Sequence, residues 1–540
     1  MKNSTFLMNL KHQFGTQKGK LITYLILKTF IFFSAIILPI IFAQFIDNIS
    51  TGTKNVKLIT FLFFGISFLA ILCTHFSNLI NVTLNASSVF YSSQDSIKKY
   101  ISSSLEVLSK RETAYITTRI INDTRAVITF VLENLTDIVL GVIQGVIILI
   151  IIFKFNKNLF FIFCILIPIN IVIFNLFKNK ISKISGTVKE VAAQYSSANQ
   201  KQVKNYLYIK LNGILDISTN YVKKYFTKVL SGFSQYKKLT SYLDSSVSII
   251  KIIATTLLMI FGGRLIMKGE ISIGYFTALN SYFITLMTII NSTTISLREM
   301  VFISESIKRM NDILHEPKEL SGNITIKEIL NIKIKEFKLS FNDVELFSPV
   351  NMLLENGNTY YIQGKNGIGK SSFLKALIGG YRDYGGEILI NDTNIKEVNI
   401  CNFRREHITY LPQEPVLFFE TYLDIITMGG AIENKKGVIQ NLKKLFDCED
   451  PIALIKSRLQ EEGESVELRF SGGEKQKIAL AVALASNSSI IILDEPTAAL
   501  DIKTKKIFLE ILNEDHSNII LVISHDNKVI NSSHNNIALV

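Results

Sequence analysis

The chain has 540 residues, 48% of them hydrophobic, and a formal net charge of +13 from 58 basic and 45 acidic side chains. Its mean hydropathy of +0.31 is concentrated in the N-terminal half, which points to membrane spans in a chain whose length allows more than two domains. The four cysteines, Cys73, Cys164, Cys401 and Cys448, have no paired spacing, so zinc and disulfide frameworks are excluded and reduced thiols are expected.

After an N-terminal segment at 1–20, apolar runs occupy 21–45, 58–80, 138–153, 159–177, 247–265 and 273–294. Six such runs exceed what the core of a soluble chain this size needs, and their number and length predict six transmembrane helices. The first run is too long for a cleavable signal, contains Lys28 and lacks a small-residue cleavage site, so it is expected to remain as a span. Basic residues set the orientation. Lys11, Lys18 and Lys20 precede the first span, Lys98, Lys99, Lys110, Arg111, Arg119 and Arg125 follow the second, and a dense lysine set at 178–238 follows the fourth. Both termini and both long loops are therefore expected in the cytoplasm, at a multi-pass cell membrane protein. This distribution accounts for the positive charge. A nucleic-acid surface would need basic residues interleaved with stacking aromatics on one soluble face, so no nucleic-acid partner is expected.

The two long loops contain no apolar run and little glycine or proline. They read as helices that continue out of the bilayer, turn and return, a 25-residue extension reaching roughly 37 Å. Short helices are expected at the tips, near 108–115 and 206–212. In the sixth span Ser281, Thr285, Thr288, Ser292 and Ser296 recur at steps of three or four. They share one helix face, either as the polar wall of a cavity or as packing residues bonded to a neighbour or to their own backbone. Lys28 and Lys251 lie near the cytoplasmic ends of their spans, where snorkelling accounts for them. The membrane domain is expected over 21–315, a linker with the breaker Glu316-Pro317 over 316–328, and a second domain over 329–540, opening with an alternating strand at 332–339.

That second domain carries an ordered set of motifs. Residues 364–371 read Gly-Lys-Asn-Gly-Ile-Gly-Lys-Ser, between the β-like run 359–362 and a helix expected at 371–378. Gly364, Gly367 and Gly369 allow the backbone to turn its N–H groups around a phosphate. The helix presents its positive end to the same anion. In this P-loop pattern, formed by Gly364, Lys365, Asn366, Gly367, Ile368, Gly369, Lys370 and Ser371 with Ser372 following, the lysine reaches the β- and γ-phosphates and the Ser371 hydroxyl ligates Mg²⁺. About 100 residues later come Phe470-Ser471-Gly472-Gly473-Glu474 and the apolar run Ile490-Ile-Ile-Leu-Asp494-Glu495. A buried parallel strand ending in two acids delivers both to the edge of a sheet. There Asp494 is expected to hold Mg²⁺ and Glu495 to polarise the attacking water. ATP and Mg²⁺ are the expected ligands.

These motifs resemble those of the ATP-binding cassette transporters. The resemblance implies that Ser471, Gly472 and Gly473 form the signature loop, which contacts the γ-phosphate held by the opposite subunit. It implies that Gln413, in Leu411-Pro-Gln-Glu-Pro, is the Q-loop residue that senses Mg²⁺, that Ala499-Leu500-Asp501 is the D-loop, that His525 is the switch histidine, and that Phe341 stacks on adenine. Thr118-Arg119-Ile-Ile-Asn-Asp123 and Gly269-Glu-Ile-Ser-Ile-Gly274 are similar to stretches of exporter-type members. Phe470 and Glu474 depart from the usual Leu and Gln, and Glu474 adds negative charge near a phosphate site. The implied fold is a polytopic α-helical membrane domain of the exporter type fused to an α/β P-loop domain. The implied protein is a half-transporter that pairs with a second copy or a related half. The expected activity is ATP-driven efflux of an amphipathic cargo, a small bacteriocin-like peptide favoured over lipids or drugs. No peptidase module is expected before the first span. The alternatives are an importer of a chelated metal or other nutrient on the same fold, and a membrane regulator that is gated by ATP without pumping.

Overall fold

The computed structural model describes residues 6, 13–51, 56–109, 113–341, 344–460, 466–514, 517–524 and 535–539. The chain divides into two compact units, Met1–Ser103 with Val107–Pro317 and Ser104–Glu106 with Lys318–Val540.

The first unit is helical. Helices α1 (Lys18–Thr51), α2 (Val56–Ile101), α3 (Leu105–Ser109) and α4 (Thr113–Thr129) are followed by a π-helical segment, Phe130–Leu135, and by α5 (Thr136–Phe155). Then come α6 (Lys157–Lys204), α7 (Tyr206–Leu211), α8 (Leu215–Met267) and α9 (Ile273–Leu314). Among the described residues six helical stretches are long and apolar enough to cross a membrane, α4, the π segment and α5 together supplying one of them. Their outer faces expose residues such as Phe61, Phe64 and Ile71, as lipid-facing helices must. The 48 residues of α6 extend about 70 Å, more than twice a ~30 Å hydrocarbon core, so much of the helix is stalk. Of the short helices, α7 occupies the position expected for the second loop tip, while α3 lies earlier than the 108–115 expected for the first and overlaps it only at 108–109.

Polar groups inside this unit are bonded across helices. The Asp123 carboxylate, on α4, accepts two hydrogen bonds from Arg309 of α9, at 2.7 and 3.0 Å, and one from the Ser306 hydroxyl at 2.8 Å. Lys189 of α6 donates to Ser306 Oγ at 2.9 Å and to the Phe302 carbonyl at 2.7 Å. Around the π segment, Asn81 donates to Glu133 at 2.7 Å and Asn134 donates to Glu299 at 2.6 Å. The Lys28 ammonium lies 3.0 Å from Asp137 of α5. Of the five hydroxyls in the sixth span, Ser281, Thr285, Thr288 and Ser292 donate to carbonyls three or four residues back in their own helix. Ser296 accepts from Asn134 at 3.3 Å. The row is therefore bonded within and between helices, as small hydroxyls in an apolar medium require.

The turn at 269–274 has a local cause. Ser272 caps α9 by accepting the Tyr275 N–H at 3.1 Å. Asp47 of α1 adds a second cap, accepting the Gly274 N–H at 2.9 Å and the Ser272 hydroxyl at 2.6 Å. A Cβ on Gly274 would lie 2.2 Å from the Ala43 carbonyl oxygen, so only glycine lets the two helices approach this closely. Gly274→Ala should lower thermal stability in detergent by about 1 to 3 kcal/mol, and Asp47→Ala by about 1 kcal/mol. Unchanged melting of Gly274→Ala would refute this account.

The second unit combines two larger sheets with helices. An antiparallel sheet has the order β4-β1-β6-β7, from β1 (Asn331–Lys338), β4 (Val350–Glu355), β6 (Gly385–Ile390) and β7 (Thr393–Asn394). A parallel sheet has the order β11-β5-β10-β9-β8, from β5 (Thr359–Gln363), β8 (Ile408–Leu411), β9 (Ile490–Asp494), β10 (Ile519–Ile523) and β11 (Asn536–Ala538). The pair β2 (Ser340–Phe341) and β3 (Val344–Glu345) stands apart. The helices are α10 (Lys370–Leu377), α11 (Ile400–His407), α12 (Tyr422–Thr427), α13 (Lys435–Phe446), α14 (Pro451–Gln460), α15 (Val466–Arg469), α16 (Gly472–Leu484) and α17 (Ile502–Leu512).

The two central parallel strands β9 and β10 are apolar except for the terminal Asp494 because both faces are covered. Ile490 and Ile492 of β9 join Phe337, Phe373 and Leu374 in one core, while Ile491 and Leu493 join Ile478, Leu480 and Phe508 in the other. This two-sided burial is the physical reason that an unbroken apolar run, and not an alternating one, marks a central parallel strand.

Candidate active site

Parallel strands joined by crossovers all end on the same edge of their sheet, and the predicted site residues follow those ends. The glycine loop expected to hold phosphate follows β5, Gln413 follows β8 and Asp494 ends β9.

Within the loop, Gly367 and Gly369 take φ values of 83° and 104°, which residues with a Cβ rarely adopt. Gly369 caps α10, and a Cβ there would meet Leu346 Cδ1 at 2.7 Å. The helix is anchored by Phe373 and Leu374, both fully buried. Lys370 is only 7% exposed, and its ammonium donates to the carbonyls of Gly364 at 2.8 Å and Lys365 at 3.3 Å. The lysine thus lies folded against the loop whose N–H groups it shares with any bound anion. Lys365, Asn366 and Gly367 are exposed, and Ile368, Ser371 and Ser372 are half-buried.

Asp494 is 6% exposed. Its Oδ2 accepts a hydrogen bond from the Tyr410 hydroxyl at 3.1 Å. Burial, the Asp494 charge and that hydrogen bond together push the Tyr410 phenol well above its ordinary range, so it stays a donor. The next residue, Glu495, has φ of 51°, a left-handed conformation that is strained for a glutamate, and its N–H donates to the Ile523 carbonyl at 3.0 Å. The turn that swings Glu495 away from the strand is therefore pinned to the neighbouring β10. Gln413 is exposed. Phe341 lies in β2, with its side chain outside the described residues, and His525 lies outside the described residues altogether.

The residues expected to form the signature loop, Ser471, Gly472 and Gly473, lie at the N-terminus of α16. Ser471 is the N-cap of a capping box: its hydroxyl accepts the Glu474 N–H at 3.3 Å while Glu474 Oε2 accepts the Ser471 N–H at 2.7 Å. Arg458 of α14 reaches the other oxygen of Glu474 at 3.4 Å. The charge that the sequence places near a phosphate site is thus tied into its own helix end. Two further contacts join α16 to the residues after β9. Gln476, 1% exposed, donates to the Pro496 carbonyl at 3.0 Å, and Lys477 pairs with Asp501 at 3.3 Å. Asp501 caps α17 through the Thr504 N–H at 2.9 Å and its hydroxyl at 2.8 Å, and these bonds with Lys477 hold its carboxyl far below the ordinary range. Tyr410, Gln476 and Lys477 carried no sequence signal, because their partners are fixed by which strands and helices are neighbours. The capping box was readable as Ser-x-x-Glu.

Burial works to raise the Glu474 pKa, but the bonds from Ser471 and the pairing with Arg458 outweigh it and hold the carboxyl below its ordinary range. A lowered value means the stabilisation is fully present above the unfolded glutamate value, about 4.3, and is lost as pH falls through the lower folded one. Melting temperature of the parent should therefore drop below about pH 4 more steeply than that of Glu474→Gln. Parallel acid limbs would show that Glu474 is not held this way.

The architecture defines a membrane-spanning six-helix unit joined in one chain to a P-loop α/β unit. A family model for the ABC transporter transmembrane region matches residues 21–290, and one for the ABC transporter matches residues 347–498. The chain belongs to the ATP-binding cassette transporters, as a half-transporter with the exporter-type fold. It is 26% identical to the transport/processing ATP-binding protein ComA of Streptococcus pneumoniae over 414 residues, 74% of this chain and 56% of the relative. It is also 26% identical to the lactococcin-A transport/processing ATP-binding protein LcnC of Lactococcus lactis over 453 residues, 80% of this chain and 60% of the relative. The chain thus spans little more than half the length of these two relatives. A Staphylococcus aureus protein named for multidrug export is 23% identical over 80% of this chain and 78% of its own. The structure of a bacterial Atm1-family ABC exporter with ATP bound superposes with a TM-score of 0.84 at 19% identity, covering 97% of this chain and 92% of that one.

Proposed function

We propose that the protein uses ATP binding and hydrolysis to export an amphipathic substrate across the cytoplasmic membrane, with two copies, or this chain and a related half, forming the working unit. The observation that carries the reading is the convergence of a positive-φ glycine loop, a buried lysine and a buried aspartate at one edge of a parallel sheet, in a chain with six spanning helices. These groups fit a magnesium nucleotide: the loop presents N–H groups and an ammonium to phosphate oxygens, and Asp494 and Ser371 offer hard oxygen ligands to the metal. Bound Mg-ATP supplies the phosphoanhydride whose cleavage drives the cycle.

The residues divide that work. Gly364, Lys365, Asn366, Gly367, Ile368, Gly369, Lys370, Ser371 and Ser372 hold the phosphates, Phe341 stacks on the base, and Ser371, Gln413 and Asp494 hold the metal. Glu495 takes the proton of the attacking water and His525 contacts the γ-phosphate end. Ser471, Gly472 and Gly473 face the nucleotide of the opposite subunit. Because the phosphate loop and signature loop of one site come from different subunits in this reading, a single copy completes none, and dimer closure and opening become the motor. Both termini and the P-loop unit lie in the cytoplasm, following the lysine-rich loops. A small peptide cargo is favoured by the names of the ComA and LcnC relatives, which speak of transport/processing and, for LcnC, of lactococcin-A. A lipid or drug cargo is the second reading, favoured by the relative named for multidrug export.

Reconstituted vesicles test the proposal. Substrate-stimulated ATP hydrolysis is expected, with cargo accumulating on the side opposite the P-loop unit. Accumulation on the same side would make the protein an importer, and nucleotide binding without transport would make it a regulator. Glu495→Gln should lower hydrolysis by a factor of about 10² to 10⁴ and trap a nucleotide-loaded dimer visible by size-exclusion chromatography. Lys370→Ala should weaken nucleotide binding itself. Parental turnover in Glu495→Gln would remove Glu495 as the base.

A further inference from the structure

We propose that Tyr410 is a positioning residue for the metal: its hydroxyl orients the Asp494 carboxylate so that one oxygen is committed to the protein and the other faces the cation. The inference rests on the reading of this edge as a Mg-nucleotide site and adds to it a residue that no motif supplies.

The geometry comes from strand order. β8 runs parallel beside β9, with Tyr410 opposite Ile492 and Leu411 opposite Leu493. Side chains two apart on a strand share a face, so Tyr410, Ile492 and Asp494 line the same side. The tyrosine ring spans the two-residue step between its own level and that of Asp494, and its hydroxyl ends 3.1 Å from Oδ2. Among the described residues no other group donates to the Asp494 side chain. A carboxylate that is 6% exposed and holds one donor loses its fixed partner when that donor is removed. Tyr410 therefore acts as the donor that fixes the Asp494 rotamer.

The same strand then carries a second consequence. Gln413 follows Tyr410 by three residues, across Leu411 and Pro412. The phenol–carboxylate bond ties the base of the Q-loop to the end of β9, so the two metal-facing side chains are held in one register by a bond between adjacent strands. Tyr410→Phe keeps the ring and its packing and deletes only the donor.

The test uses the purified full-length chain in lipid nanodiscs and a fluorescent ATP analogue, titrated with Mg²⁺ at pH 6 and at pH 8, and separately with EDTA present. Tyr410→Phe should raise the Mg²⁺ concentration for half-maximal enhancement of analogue binding by roughly tenfold. Affinity in EDTA should match the parent, because the phosphate loop is untouched. In an Asp494→Asn background the same substitution should add no further change. An identical Mg²⁺ midpoint in parent and Tyr410→Phe at both pH values would overturn the inference. So would an equal loss in the Asp494→Asn background, which would mark a packing role alone. A parent that shows no Mg²⁺-dependent binding would overturn the nucleotide reading itself, an outcome distinct from either of these.

Discussion

A carboxylate at the end of a strand that is buried on both faces is the constraint around which the P-loop unit is arranged. All five residues of β9 are buried, and the last is Asp494. Such a group has to emerge at the sheet edge, where it can meet a hydrogen-bond donor. The parallel arrangement supplies that edge. Because β5, β8, β9 and β10 run in one direction, their C-terminal ends bring the phosphate loop, the Q-loop, the two acids and the residues after β10 to a common rim. The strained φ of Glu495 sits at the same place, where the chain leaves β9 abruptly and is held by a hydrogen bond to β10.

The membrane unit obeys the same rule in a different solvent. Several charged or strongly polar groups between its helices meet an opposite charge or a hydrogen-bond partner, as with Asp123, Arg309 and Ser306, Lys28 and Asp137, and Asn134 and Glu299. The π segment between α4 and α5 lies at the centre of several of these pairs. An extra residue in the helix turn changes which side chains face each neighbour, and here Glu133 meets α2 while Asn134 meets α9. A buried pair such as Asp123 and Arg309 is costly to break once made.

Much of this was legible in the residues. The phosphate loop and the apolar strand with two acids depend on local requirements, positive φ and two-sided burial, that few residue types satisfy. The six spans follow from length and hydropathy alone. Other features were invisible. The partner of Lys28, Asp137, lies 109 positions away. Glu474 reads in the sequence as a charge near a phosphate site, and only the structure shows its carboxylate closing a capping box and meeting Arg458. The hydroxyl row of the sixth span was ambiguous between cavity and packing, and the hydrogen bonds to its own backbone are visible only with coordinates.

By itself the amino-acid order determined the elements and the chemistry each one carries, because helix periodicity, glycine-dependent turns and buried runs are short-range requirements written into neighbouring residues. What only the tertiary structure decided is which elements stand side by side. The sheet order β10-β9-β8 puts a tyrosine from one strand against the aspartate of the next, and helix packing pairs Asp123 with Arg309 across 186 positions. Such pairings depend on the long-range balance of burial and polar satisfaction over the whole unit, and no local pattern encodes them.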